Sequence, residues 1–330
     1  MADTRIGSVV EPAAARPRVV DGVLVVNKAA GWTSHDVVAK LRGLFRGRKV
    51  GHAGTLDPAA TGVLPVLVGK ATRIAEYLLD WDKEYQAILR LGETTDTQDA
   101  TGTILALCST AGLTDEAIRS AVGRFQGRVA QVPPMYSAGK VGGVPLYKAA
   151  RAGRTVERDS REVTVHGIDV QEIAGRDVSL LVRCSKGTYV RTLCADIGEA
   201  LGVGGHLLAL ERRRVGPLTI ERALTVEEIE ARFSLGSVED ELISLDGALA
   251  SVAAVLVDEA TASRTLHGVP VPWRAAQWAG QGGAVDRRGG ETVRVKDRTG
   301  RLLALGRLPQ EDGAEIAILK VLAEVTPQSV

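Results

Sequence analysis

Strand-like and helix-like hydrophobic periods are interspersed along this chain without the regular strand–helix alternation that builds a parallel sheet. Val23–Val26 is a short apolar run. Tyr85, Ala87, Leu89 and Leu91 recur at period two, as do Val178, Leu180, Val182 and Cys184, so three strands are expected. Helical spacing relates Val37, Val38, Leu41, Leu44 and Phe45, with Thr33 and Asp36 as a capping box before them. Thr114 can cap a helix bearing Ile118, Val122 and Phe125. Val190, Leu193, Ile197 and Leu201 form another helical stripe that Gly202 can end, and Thr225 with Glu228 repeats the capping box. These patterns predict an α+β fold with a mixed, mainly antiparallel sheet. Past residue 250 come four strand candidates, Ala254–Val257, Thr292–Val295, Leu302–Leu305 and Ile316–Leu319, which read as a small β-barrel-like module.

At 330 residues and 45% hydrophobic, the chain suits two domains and excludes wholesale disorder. Residues 1–20 lack a basic region followed by an apolar one. They read as a flexible tail rather than a secretory signal. No run of 18 apolar residues predicts a membrane span. Three cysteines, Cys108, Cys184 and Cys194, without CxxC spacing indicate neither a zinc ribbon nor a disulfide framework, so a cytoplasmic location is expected.

The 41 basic and 40 acidic residues nearly cancel, but their distribution is uneven. Lys140, Lys148, Arg151, Arg154, Arg158 and Arg161 stand against two acids, and Arg212–Arg214 form a second cluster. Separated basic patches suit a polyanion better than net charge implies, although from charge alone a solvated face is the favoured explanation.

Two phosphate-binding patterns fail. Before Gly69-Lys70, Leu64 stands where a P-loop needs its first glycine, and Ala71 replaces the Ser/Thr. Gly202-Val203-Gly204 is followed by Leu207 where a dinucleotide fingerprint needs glycine. The five histidines show no metal-ligand spacing, and GxSxG is absent. The richest segment is residues 51–73, expected to be largely loop and to close in the apolar run Val63–Val68. It sets one carboxylate, Asp57, between Gly51, Gly54 and Gly62, beside Pro58. Glycines admit a substrate close to the backbone, but Asp-Pro is also a helix N-cap with proline at N1.

GHAGTLDPAATGVLPVLVGKATR resembles the catalytic motif of the TruB-type tRNA pseudouridine synthases. Further segments follow in that family's order: Asn27-Lys28 with Gly31 and Ser34; Asp82-Lys83-Glu84-Tyr85, then Leu91-Gly92 and Thr95-Asp96-Thr97; Pro134-Met135-Tyr136-Ser137-Ala138; and Cys184 through Arg191. The resemblance covers roughly residues 21–218. Leu266-His267-Gly268 and Arg301–Gly306 resemble the family's PUA-like module more loosely.

The resemblance implies a pseudouridine synthase catalytic domain over 21–250 with a tRNA-gripping basic insertion at about 133–161, and a PUA-like RNA-binding module over 251–330. It implies isomerisation of the uridine at position 55, in the TΨC loop of tRNA, with no cofactor and no metal, by a monomer whose partner is the T stem-loop. Asp57 would attack C1′ or remove the 2′ proton. Arg191 would keep Asp57 ionised, though it also reads as a surface arginine. Tyr85 would stack on the flipped uracil and is a candidate to take the C5 proton, though it also reads as core. Tyr189 and the Leu210 backbone would contact the base. His52 would lie near the flipped nucleotide, or make a structural hydrogen bond. Lys28 and Lys186 are candidate phosphate or active-site contacts. A non-catalytic RNA-binding or tRNA-folding protein is the alternative. Guide-directed chemistry on another RNA is a third reading, and the basic tail it would favour is absent.

Overall fold

The computed structural model describes residues 21–137, 139–141, 144–145, 156–279, 289–310 and 315–324. The expected tail, the Gly280–Gly290 stretch up to residue 288, and Lys148, Arg151 and Arg154 of the basic stretch lie outside these residues.

Strands β1 (Gly22–Lys28), β2 (Val50–His52), β3 (Thr61–Val68), β4 (Lys83–Leu91), β7 (Gly127–Gln131), β10 (Arg161–Ala174), β11 (Asp177–Cys184), β12 (Gly205–Val215) and β13 (Leu218–Thr219) form one nine-stranded sheet. Its path runs β1-β3-β12-β4-β11-β10-β7, with β2 on β3 and β13 on β12. Every pairing is antiparallel except β3 with β12, where Thr61 and Gly62 face Glu211 and Arg212. The mixed, mainly antiparallel sheet read from the sequence is therefore present. Two hairpins stand outside it, β5 (Glu93–Thr95) with β6 (Ile104–Leu107) and β8 (Lys140–Val141) with β9 (Val144–Pro145).

Both faces of the sheet are covered. Leu24 and Val26 of β1 join Leu64, Val66 and Val68 of β3 under helices α1 (Ser34–Leu44) and the later Val226–Ser234. Their alternates, Val23, Val25, Val63 and Leu67, pack on the other side with Ile74 and Leu78, the latter on α2 (Ala75–Leu79). That is why these strands read as unbroken apolar runs rather than alternating ones. Helices α3 (Asp115–Gly123) and α4 (Val190–Ala200) cover Ala87, Leu89 and Leu180 further along. The predicted capping boxes are made: Thr33 with Asp36 starts α1, and Thr225 with Glu228 starts α5 (Val226–Ser234). Gly202, at φ +74°, follows α4 as expected.

One expectation is corrected. Residues 51–73 are not largely loop; β2 takes Gly51 and His52, β3 starts at Thr61, and a 3-10 turn covers Gly69–Ile74. Only 53–60 are loop. The glycines and prolines that suggest loop are tolerated here because Gly62 sits at φ +99° against β12. A Cβ there would lie 2.3 Å from the Arg212 carbonyl oxygen, so no other residue fits.

A second sheet of six strands follows: β14 (Ala254–Val257), β15 (Val271–Pro272), β16 (Gln277–Trp278), β17 (Thr292–Asp297), β18 (Leu302–Arg307) and β19 (Glu315–Val321). All four strand candidates past residue 250 are strands, and β15 and β16 are additional. Leu305 and Leu322 join the core under β1 and β3. Asp246 takes Arg294 at 2.8 Å and Lys296 at 2.7 Å, and Arg73 donates to the Val321 carbonyl at 2.7 Å, so this sheet is fastened to the larger one.

Candidate active site

The 53–60 loop follows β2 and is pinned on every side. Ser34 Oγ donates to the Leu56 carbonyl and accepts from the Leu56 N–H at 2.9 Å. The Lys28 ammonium, fully buried, donates to the carbonyls of Ala29, Trp32 and Pro58. From β12, Arg212 donates to the carbonyls of Val63 at 2.7 Å, Gly54 at 2.9 Å and Thr55 at 3.5 Å. The result is a rigid, preorganised loop with Asp57 at its tip. No helix follows Asp57, which disposes of the N-cap alternative.

Arg191, near the start of α4, reaches Asp57 with two donors: Nε lies 3.0 Å from Oδ2, and Nη2 3.5 Å from Oδ1. Its remaining donors go to the carbonyls of Tyr136 at 2.8 Å and Thr97 at 3.3 Å, with Asp99 at 3.6 Å. At 5% exposure it is no surface arginine. The 95–101 turn holds Asp99 in place. Thr97 and Thr101 hydroxyls donate to its carboxylate at 2.7 and 2.6 Å. Gln98 there is the sole non-glycine at positive φ (+63°) among the described residues. Such strain persists where the surroundings impose it, commonly at functional sites.

A cleft of about 340 Å³ opens beside this pair, within the range of small-ligand pockets. Asp57, Tyr85, Tyr189, Arg191 and Leu210 line it, so five of the eight residues named from the sequence meet there. Tyr85 on β4 is 9% exposed; it is core and cleft wall at once. Burial pushes its pKa up, and the charge of Arg212 opposes this. Tyr189 precedes α4, where the Gln131 side chain accepts from its N–H at 3.0 Å and donates to its carbonyl at 3.3 Å. The Leu210 carbonyl accepts from Thr61 at 3.5 Å.

The other three stand apart from the cleft lining. Lys28 lies beneath the loop with its donors spent on carbonyls, and burial lowers its pKa to about 8. Lys186 is exposed and pairs with Asp80 at 2.7 Å. His52 packs edge-on to His35 at 5.5 Å, and burial lowers its pKa. Two charged residues of the cleft lining, Lys83 and Arg212, lie outside the candidate set. Lys83 donates to the carbonyls of Leu79 and Trp81, and burial lowers its pKa to about 8. Arg212, within the Arg212–Arg214 run, reads as surface charge; two register shifts in β12 break the alternation that would mark it as inward. Among the described residues, no three His, Cys, Asp or Glu side chains are placed to hold a metal ion.

Burial raises the Asp57 carboxyl above its ordinary value; Arg191 opposes this and Asp99 reinforces it. A carboxyl whose folded pKa is raised costs stability as pH climbs past its unfolded value, so at neutral pH Asp57 works against the fold. A half-buried carboxylate that weakens the fold, clamped in a cleft beside a buried guanidinium, is placed for chemistry.

Residues 42–190 match the N-terminal domain of TruB family pseudouridylate synthases, and residues 191–256 match the tRNA pseudouridylate synthase B C-terminal domain. A tRNA pseudouridine synthase B of Burkholderia mallei (strain NCTC 10247) is 44% identical over 294 residues, covering 88% of this chain and 94% of the relative. One of Ralstonia pickettii (strain 12J) is 46% identical over 267 residues, covering 78% and 82%. A chain in the crystal structure of a Cbf5-Nop10-Gar1 complex shares the fold, with a TM-score of 0.73 at 28% identity over 92% of this chain and 85% of that one. A chain in the structure of an H/ACA RNP bound to a substrate RNA containing 2′-deoxyuridine does so at 0.70 and 26%, over 92% and 85%. With the sequence match running through the Asp57 loop, Tyr85 and Arg191, and the sheet that carries them recurring in these structures, the chain belongs to the TruB family of pseudouridylate synthases.

Proposed function

We propose that this chain converts the uridine at position 55 of tRNA to pseudouridine, acting in the cytoplasm as a monomer on the T stem-loop. The observation that carries the reading is the Asp57–Arg191 pair, a two-donor clamp on a carboxylate at the edge of a base-sized cleft. Relatives named tRNA pseudouridine synthase B at 44–46% identity support the substrate class.

The target uridine leaves its stack at a cost of a few kcal/mol and enters the cleft. The Tyr85 ring stacks on it, which recovers about 1–3 kcal/mol. Asp57, held ionised and oriented by Arg191, faces the sugar and attacks C1′ or takes the 2′ proton. The N1–C1′ bond breaks, uracil turns, and C5 bonds to C1′ as Asp57 departs from C1′ or returns the 2′ proton; C5 then loses its proton and N1 gains one. Tyr189 and the Leu210 backbone border the base. Atoms balance within the nucleotide, so the scheme calls on no cofactor. The basic stretch ending at Arg161 grips the T stem, and the sheet from Ala254 onward serves as a PUA-like RNA-binding module.

Incubating the purified protein with an unmodified tRNA transcript and mapping pseudouridine by position should reveal one new site, at position 55. Modification elsewhere, or none, rejects the reading.

The acid side of the pH–rate profile gives a second test. Asp57 must be ionised, and its pKa is raised by burial, so activity should fall on acidification at a pH above the ordinary carboxylate value. Arg191 lowers that pKa, so Arg191→Gln should move the acid limb to higher pH. An unmoved limb under single-turnover conditions would detach Arg191 from Asp57.

At Tyr85, Phe keeps the ring and Ala removes it. Tyr85→Phe should bind tRNA as wild type does, whereas Tyr85→Ala should weaken base capture by about 1–3 kcal/mol. Binding curves for the two variants decide; equal binding by both rules out stacking.

A further inference from the structure

Ser137 follows Tyr136 in the segment that leaves β7. It is 5% exposed, lines the same cleft as Asp57 and Tyr85, and its hydroxyl finds no hydrogen-bond partner among the described residues. Buried hydroxyls are nearly always paired, and an exception at a ligand cleft is explained when the ligand completes it.

The segment is not loosely placed. Gln131 is tied to the Tyr189 backbone, the Pro133 carbonyl accepts from Arg158 at 2.9 Å, and the Tyr136 carbonyl accepts from Arg191 at 2.8 Å. Ser137 is therefore delivered to the cleft wall by the strap that also holds the guanidinium. The buried cationic groups of the wall are committed: Arg191 to Asp57 and two carbonyls, Arg212 to three carbonyls, and Lys83 to two. The Ser137 hydroxyl is left over. A hydroxyl both donates and accepts, so it can serve either a carbonyl oxygen or the N3–H of uracil.

We propose that Ser137 is a substrate-binding residue whose hydroxyl hydrogen-bonds the polar edge of the flipped uracil. The proposal rests on the pseudouridine synthase reading and adds to it a base contact outside the Asp57, Tyr85 and Arg191 set.

The test compares wild type, Ser137→Ala and Ser137→Thr in binding two tRNA transcripts, one with uridine at position 55 and one abasic there. Ser137→Ala should lose roughly tenfold in affinity for the uridine transcript and nothing for the abasic one, since one hydrogen bond is removed. Its single-turnover rate at subsaturating protein should fall by a similar factor. Ser137→Thr, which keeps a hydroxyl, should recover most of both. The melting temperature and the acid limb of Ser137→Ala should match wild type. Equal discrimination between the two transcripts by wild type and Ser137→Ala would overturn the proposal. So would a loss on both transcripts, or one accompanied by a moved acid limb, because either would assign Ser137 to packing beneath Arg191. The binding comparison does not depend on turnover, and the wild-type activity alone judges the parent reading, so the two failures are distinguishable.

Discussion

Asp57→Asn should abolish pseudouridine formation, by at least roughly 10³-fold, while folding and tRNA binding persist. Asparagine keeps the size of the side chain and removes only its charge. The stability side of the expectation follows from the raised pKa: an ionised, desolvated carboxylate is a cost to the fold, so the neutral amide should leave the melting temperature unchanged or higher. Arg191 is not orphaned by the change, because the Tyr136 and Thr97 carbonyls and Asp99 still hold it. Single-turnover assays beside thermal melts separate the outcomes. Near-wild-type activity would remove Asp57 from the mechanism, and parallel losses of activity and stability would make it structural.

Arg212→Leu should have the largest effect on stability. This guanidinium is 1% exposed and gathers the carbonyls of Gly54, Thr55 and Val63. Leucine fills part of the volume and leaves buried carbonyls without donors, at about 1–3 kcal/mol for each stranded group. A loss of about 3–5 kcal/mol is expected from denaturant midpoints. Arg212→Lys should recover only part of it, since an ammonium cannot span three carbonyls as a planar fork does. A change below about 1 kcal/mol for leucine would mean that this scaffold is not what fixes the Asp57 loop.

Much of the fold was legible where local chemistry and burial agree. The Thr33–Asp36 and Thr225–Glu228 boxes announced α1 and α5. The period-two pattern of Tyr85–Leu91 and Val178–Cys184 announced β4 and β11, whose registers pair Tyr85 with Val182 and Leu89 with Val178. The 51–73 segment misled because glycine and proline are local signals. There the positive φ of Gly62 serves a tertiary contact with the backbone of Arg212. Asp57, Arg191 and Tyr85 were legible through their motifs, but their environment was not. Arg191 as a sequence letter looks like any exposed arginine; only its 134-residue separation from Asp57, closed by the fold, gives it a role. Arg212 was hidden among three consecutive arginines on a strand with broken alternation. Lys28 was read as a possible phosphate or active-site contact; the structure places its ammonium on three carbonyls under the Asp57 loop, a position its sequence neighbours do not signal.

The proposed function joins one residue to one nucleotide: isomerisation of uridine 55 in tRNA is proposed to depend on the Asp57 carboxylate. A position-resolved pseudouridine map of total tRNA from cells lacking this gene tests it directly. The signal at position 55 should be absent, should return with the wild-type gene, and should stay absent with the Asp57→Asn gene expressed at the same level. Persistence of pseudouridine 55 in the deleted cells together with loss at another position, or restoration by Asp57→Asn, would contradict the account.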